Sequence, residues 1–220
     1  MKSISYYISL FCIALILVSC KKEAESDRDN LVFRYNEDAN ITSLDPAFSK
    51  VQTNIWACNH LFNGLVQLDD KLNVKPDIAK SWEISDEGTT YQFTLRNDVY
   101  FHKNASFGKD STRTVKAQDF EYSLNRILDE KVASPGRWIL QNVASFKTIN
   151  DTVFEIKLHK SFPGFLGLLA MKYASVVPKE VVENPEIDFR SHPVGTGPFQ
   201  FKLWEENVKL VLRKNPLYFE

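Results

Sequence analysis

Cysteine is scarce in this chain, with three in 220 residues. Cys12 lies inside an apolar leader and Cys20 just after it, so only Cys58 is left to the body of the protein. No intrachain disulfide is then possible, and no Cys-x-x-Cys redox or metal pair exists. Cys58 lies among Ile55, Trp56, Leu61 and Phe62 and reads as a buried core thiol. Charge of one sign is equally lacking: 27 basic residues face 28 acidic ones, for a net charge of −1. That balance excludes the basic footprint nucleic-acid binding requires. The four histidines, His60, His102, His159 and His192, are scattered and form no His-x-x-x-His zinc pair. Gly-x-Ser-x-Gly is absent, which removes the usual serine hydrolase signal. Gly195-Thr196-Gly197 lacks the Gly-Lys-Ser/Thr ending of a phosphate loop. Pro198 stands where a helix N-terminus with free N–H groups would be needed, so a turn entering a strand is expected. Asp69-Asp70-Lys71 reads as a solvated turn rather than a metal site. Internal repeats and low-complexity tracts are missing.

Long hydrophobic runs are also few. The run from Ile4 to Val18 is too short to span a bilayer comfortably, and Lys21-Lys22-Glu23 follows at once. Lys2 precedes it, and small Ser19 stands directly before Cys20. Residues 1–19 therefore read as a lipoprotein signal peptide, with Cys20 as the lipidated first residue of the mature chain. An ordinary signal peptide or a short anchor helix with a chance cysteine is the alternative. Residues 20–30, polar and without apolar periodicity, read as a flexible tether. The folded body after this tether is expected to work outside the cytoplasm, held at a membrane surface.

Apolar residues make up 44% of the chain and aromatics 13%, a composition of packed globular proteins. A strand is expected at 31–35, then a turn at Leu44-Asp45-Pro46. A helix is expected over 53–65, with Ile55, Cys58, Leu61 and Phe62 on one face and Gly64 ending it. Trp82-Glu83-Ile84 and Tyr91 to Arg96 form a hairpin candidate around Asp86 to Thr89. A second helix is expected over 117–129, burying Phe120, Leu124, Ile127 and Leu128, with Asp119 in its first turn. A short helix near 138–143, a hairpin of 144–149 with 153–158, a small helix over 165–171, and strands through Leu203 and over 208–214 complete the pattern. Hairpins with interspersed helices imply an α/β or α+β arrangement.

Several stretches, in order, resemble the family 5 extracellular solute-binding proteins of ABC importers, which include oligopeptide-, dipeptide- and nickel-binding proteins. They are Leu44-Asp45-Pro46, Leu61-Phe62-Asn63-Gly64-Leu65, and Pro76-Asp77-Ile78-Ala79-Lys80-Ser81-Trp82-Glu83. Tyr91-Gln92-Phe93-Thr94-Leu95-Arg96-Asn97-Asp98-Val99-Tyr100-Phe101 is the next. Then come Val115-Lys116-Ala117-Gln118-Asp119-Phe120 with Ser123 and Arg126, Val177-Pro178-Lys179, Gly195-Thr196-Gly197-Pro198-Phe199 and Asn215-Pro216-Leu217-Tyr218. The resemblance implies an α/β fold of the periplasmic-binding-protein-like type II class (cluster C), two-lobed and closing over its ligand, with an extra domain. It places a discontinuous first lobe at 30–62 and 179–220 and the extra domain at 63–178. The second lobe is missing, so the chain reads as the N-terminal half of such a protein or the product of a truncated frame.

The function so implied is a lipid-anchored, non-enzymatic receptor that captures peptides and delivers them to the permease of an ABC importer. The protein would act as a monomer, outside the cytoplasm, without cofactor, metal or nucleic acid. A peptide's main chain would be held by strand-like hydrogen bonds and its side chains by hydrated pockets. By resemblance, the first lobe's ligand contacts come from Ser49, Lys50, Val51, Gln52 and Thr53. A surface loop before a helix is the plain alternative for each of them. Relatives can carry an acid at the position of Lys50, and a cation there would favour a ligand carboxylate over an amine. Oligopeptide binders place an aromatic after Ala-Ser-Pro. Here Gly136 follows Ala133-Ser134-Pro135, and Trp138 is the substitute, or else a core residue. The acid that captures a peptide's amino terminus belongs to the missing half. Alternatives are a nickel-chelate, haem or oligosaccharide binder of the same family, a non-binding remnant, or a secreted lipoprotein hydrolase. The last would need a nucleophile–base pair or metal site that the sequence does not present.

Overall fold

A computed structural model describes residues 32–220. The expected leader (1–19), the lipidation site Cys20, the tether (20–30) and Leu31 lie outside the described residues. The strand expected at 31–35 is corrected, because residues 32–37 carry no regular secondary structure. β-favouring residues mark this stretch, but a strand also needs a hydrogen-bonded ladder, and residues 32–37 belong to none of the sheets.

Residues 39–220 form one compact unit. A 3-10 turn at Pro46–Phe48 leads into helix α1 (Gln52–Leu61). The helix is shorter than expected, and Gly64 does not end it. It stops at Leu61 because Phe62 swings to an extended conformation (φ −135°, ψ 149°). The N–H groups that would continue it are taken by side chains of other segments: Asn63 N donates to Thr196 Oγ1 at 3.3 Å and Gly64 N to Asp77 Oδ2 at 3.0 Å. The buried face of α1 is Thr53, Asn54, Ala57, Cys58 and Leu61, while Ile55 is only half-buried. Cys58 is fully buried as expected, and burial pushes its thiol up to about 12, so it stays protonated and inert.

Strands β1 (Val66–Leu68) and β2 (Val74–Pro76) make a small antiparallel ribbon. Strands β3 (Ala79–Ser85), β4 (Thr90–Leu95), β5 (Val143–Asn150) and β6 (Val153–Leu158) form an antiparallel sheet in the order β3-β4-β6-β5. Both expected hairpins are therefore present. The register sets Phe93 opposite Trp82 on one side and Phe154 on the other, and Tyr91 opposite Ile156. Because side chains alternate along a strand, Tyr91, Phe93 and Leu95 share a buried face with Phe154, Ile156 and Leu158. Helix α2 (Ala117–Leu128) packs over β5 and β6 and buries Phe120, Leu124 and Ile127, with Phe120 6.1 Å from the Phe154 ring. Full burial of each such side chain contributes about 1.5–3 kcal/mol. The helix starts where Asp119 accepts from the Lys116 N–H at 2.8 Å. Arg113 then grips Asp119 with two bonds (2.8 and 2.7 Å) and also holds Glu180 (2.7 and 2.8 Å).

The helix expected near 138–143 is reduced to one 3-10 turn, Arg137–Leu140, since Val143 already enters β5. Short helices α3 (Phe165–Leu169) and α4 (Lys179–Val182) come next, then the hairpin of β7 (Phe199–Glu205) and β8 (Lys209–Lys214). Before β7 the chain crosses directly over the end of α1. Gly197 N donates to Leu61 O at 2.9 Å, and a Cβ on Gly195 would fall onto that same carbonyl. The two glycines are what permits this approach, as their place in the sequence implies. Buried His102 clamps the crossing. Its Nδ1 accepts from Gly195 N at 3.3 Å and its Nε2 donates to Gly197 O at 3.0 Å.

Candidate functional site

The segment between Thr42 and Asn54 is held from three sides. Asp45 starts the 3-10 turn by accepting from Ala47 N at 3.0 Å, while Arg126 on α2 binds both of its carboxylate oxygens (3.0 and 2.5 Å). Buried Asn54 takes Thr42 N through Oδ1 at 2.9 Å and donates Nδ2 to Thr42 Oγ1 at 3.0 Å and Phe48 O at 3.4 Å. From the Ala133-Ser134-Pro135 loop, Ser134 donates to Ala47 O at 2.6 Å and accepts from Gly136 N at 3.0 Å. Leu44 N donates to Arg190 O at 2.9 Å. Three stretches far apart in the chain therefore meet, and a concavity of about 410 Å³ opens between them.

Its walls are Phe48, Val51 and Pro135; Thr42, Ser43 and Asn54 supply neutral polar groups, and Lys50 and Arg190 supply charge. Of the five residues expected to contact ligand, Lys50 and Val51 line this space. Gln52 is exposed as the first residue of α1. Ser49 and Thr53 are buried with their hydroxyls already engaged, Ser49 donating to Cys58 Sγ at 3.1 Å and Thr53 to Asn40 O at 3.3 Å. Both hold the segment's shape rather than present a group. Trp138 is 48% exposed and does not line the concavity; Pro135 does. Phe48, Asn54 and Arg190 were not singled out by the sequence. Phe48 and Asn54 sit within a segment whose Asp-Pro start marks a turn, but nothing local marks Arg190, which arrives from 140 residues downstream.

The charges are unevenly answered. Asp45 is neutralised by Arg126, and Arg190 bonds Glu206 Oε1 at 2.8 and 2.6 Å while lying 5.2 Å over the Trp204 ring. Lys50 makes no ion pair among the described residues. Helix α1 begins here with Val51 as its N-cap, whose side chain offers no acceptor to the first-turn N–H groups. Among the described residues, nothing in this arrangement pairs a nucleophile with a base.

Similarity to known proteins has the same outline. Over 182 residues the chain is 28% identical to the glutathione-binding protein GsiB of Salmonella choleraesuis, covering 83% of this chain and 34% of the relative. In structure it is similar to the periplasmic binding protein DppA from Helicobacter pylori, solved with the peptide STSA (TM-score 0.73, 29% identity, 81% of this chain and 38% of that one). It is also similar to NikZ from Campylobacter jejuni, solved with Ni(L-His) (TM-score 0.70, 28% identity, 84% and 35%). The chain spans about a third of the length of these relatives. Its fold is that of the corresponding part of the type II periplasmic binding proteins. Residues 73–220 match the model of the bacterial extracellular solute-binding proteins, family 5 middle region. The chain belongs to the family 5 solute-binding proteins of ABC importers.

Proposed function

We propose that this chain is the solute-capturing part of a lipid-anchored receptor that binds peptides outside the cytoplasm and hands them to an ABC permease. The observation that carries the reading is the concavity at Lys50 and Val51, built by the segment from which first-lobe ligand contacts are expected. The relatives' own ligands, glutathione and the peptide STSA, agree with a peptide-like solute. Ser49, Gln52 and Thr53 complete the segment, the first and last as its internal supports. The division into a first lobe (30–62 and 179–220) and an extra domain (63–178) is part of this proposal, and the crossing of Leu61 by Gly197 supports it. Cys20 would carry the lipid, with 20–30 as leash, raising the receptor's local concentration at its importer.

A second reading, a nickel-chelate receptor, is favoured by the likeness to NikZ, whose bound metal is already held by histidine. Thermal unfolding of the purified full-length protein with short-peptide pools, glutathione and nickel–histidine separates the two. A true ligand at one hundred times its Kd stabilises by about 2.7 kcal/mol. No shift with any peptide alongside a shift with nickel–histidine would remove the peptide assignment. Metabolic labelling with a fatty-acid analogue, lost in Cys20→Ala, checks the anchor.

A further inference from the structure

The concavity beside α1 carries a positive charge that the protein itself leaves unanswered. Among the residues lining it, Lys50 and Arg190 are cationic and none is acidic. Arg190 is matched to Glu206, and Asp45, the nearest acid along the chain, has both oxygens committed to Arg126. Lys50 is left without an ion pair among the described residues. The start of α1 at Val51 adds its positive dipole end to the same rim. Phe48, Val51 and Pro135 give the space apolar walls, which lower the local dielectric and strengthen any charge pair formed there. The rim is also rigid before any ligand arrives, because Asn54 and Ser134 tie its backbone in place, so little ordering is needed on binding.

We propose that this concavity seats a carboxylate of the bound solute against Lys50, so that the receptor selects anionic ligands over cationic ones. A single unanswered ammonium matches a singly charged carboxylate; a phosphate dianion would meet only half its charge. The inference rests on the solute-receptor reading above and deepens it by naming the ligand's charge.

The test is calorimetric titration of the full-length protein with alanine-based tri- and tetrapeptides that differ only by one Glu, Gln or Lys and by a free or amidated carboxyl terminus. Succinate and succinamide are run as a non-peptide pair. A charge-assisted bond of this kind makes the acidic form bind roughly tenfold tighter than its neutral counterpart. Lys50→Gln is expected to erase that difference, and Lys50→Glu to turn the preference toward the Lys peptide. Peptide binding without charge discrimination, or discrimination that survives Lys50→Gln, overturns the inference and leaves the peptide receptor standing. Lys50-dependent binding of succinate without binding of any peptide supports the inference and sinks the peptide reading. Binding of neither class overturns both.

Discussion

Asp45 and Arg126, separated by 81 positions, form a two-pronged ion pair in which 4% of the acid's side chain and 13% of the base's is exposed. Asp45 also caps the turn at Pro46–Phe48, so this pair transmits the position of α2 to the rim of the concavity. Removing one partner of a buried pair leaves the other charge without compensation. Arg126→Ala is therefore expected to cost about 3–5 kcal/mol in urea denaturation. Arg126→Lys, which restores the charge but not the fork, is expected to fall between that variant and the native protein.

Gly197 faces the carbonyl of His60 so closely that an added Cβ would lie 2.5 Å from it, and Gly195 faces Leu61 O still more closely. Both obstacles are backbone and cannot rotate away. Gly195→Ala and Gly197→Ala are each expected to cost about 3 kcal/mol or more, the upper end of overpacking penalties. Gly167→Ala is the control. That residue lies within α3 with open space around it, so the same change should be neutral or gain about 0.5–1 kcal/mol. Equal melting temperatures for Gly195→Ala and Gly167→Ala would refute the close crossing.

Two buried groups should pull the stability in opposite directions between pH 4 and 6.5. Burial lowers His102 from 6.5 to about 4, so its contribution is complete above 6.5 and is lost as the pH falls toward 4. Burial raises Asp77 from 3.8 to about 6, despite hydrogen bonds from Gly64 N and Asn63 and the nearby Lys172. Its contribution is complete below 3.8 and is lost as the pH rises through 6. Each effect is on the order of 3 kcal/mol, so the native protein should show little net slope from this pair. His102→Gln is expected to become relatively more stable on acidification and Asp77→Asn relatively less so. Parallel pH–stability curves for both variants and the native protein would contradict the assignment.

Much of the fold was legible because it is encoded over short distances. Alternation at Tyr91, Phe93 and Leu95, helical spacing at Phe120, Leu124 and Ile127, and the acid at Asp119 each act within one element, and each appears as expected. The misplaced features depend on partners far away in sequence. The end of α1 is set by acceptors on Asp77 and Thr196, not by Gly64. The apolar residues Val32 and Phe33 belong to no ladder. The candidate site divides the same way. Lys50 and Val51 stand beside a readable Asp-Pro turn, whereas Arg190 reaches the rim through a backbone bond to Leu44 that no local pattern announces. Ser49 and Thr53 show a further limit. Sequence marks the segment, but only packing decides which side chains face outward and which brace it from within.

Ser134 offers the sharpest check on how that rim is held. Its hydroxyl donates to Ala47 O and accepts from Gly136 N, joining the loop that carries Pro135 to the turn that carries Phe48. Ser134→Ala leaves a buried acceptor and a buried donor unmatched, at a cost of about 1–3 kcal/mol. The loss should be local. Amide exchange is expected to quicken at Phe48 and Ser49, whose N–H groups bond to Asp45 O and Pro46 O within the freed turn. Amides of β4 and β6, paired across the sheet, should keep their native protection relative to global stability. A loosened rim also raises the ordering cost of binding, so ligand affinity should weaken although no contact to ligand has been removed. Unchanged exchange at Phe48 and Ser49 in this variant would show that Asp45 and Asn54 suffice to hold the turn, and that Ser134 serves only its own loop.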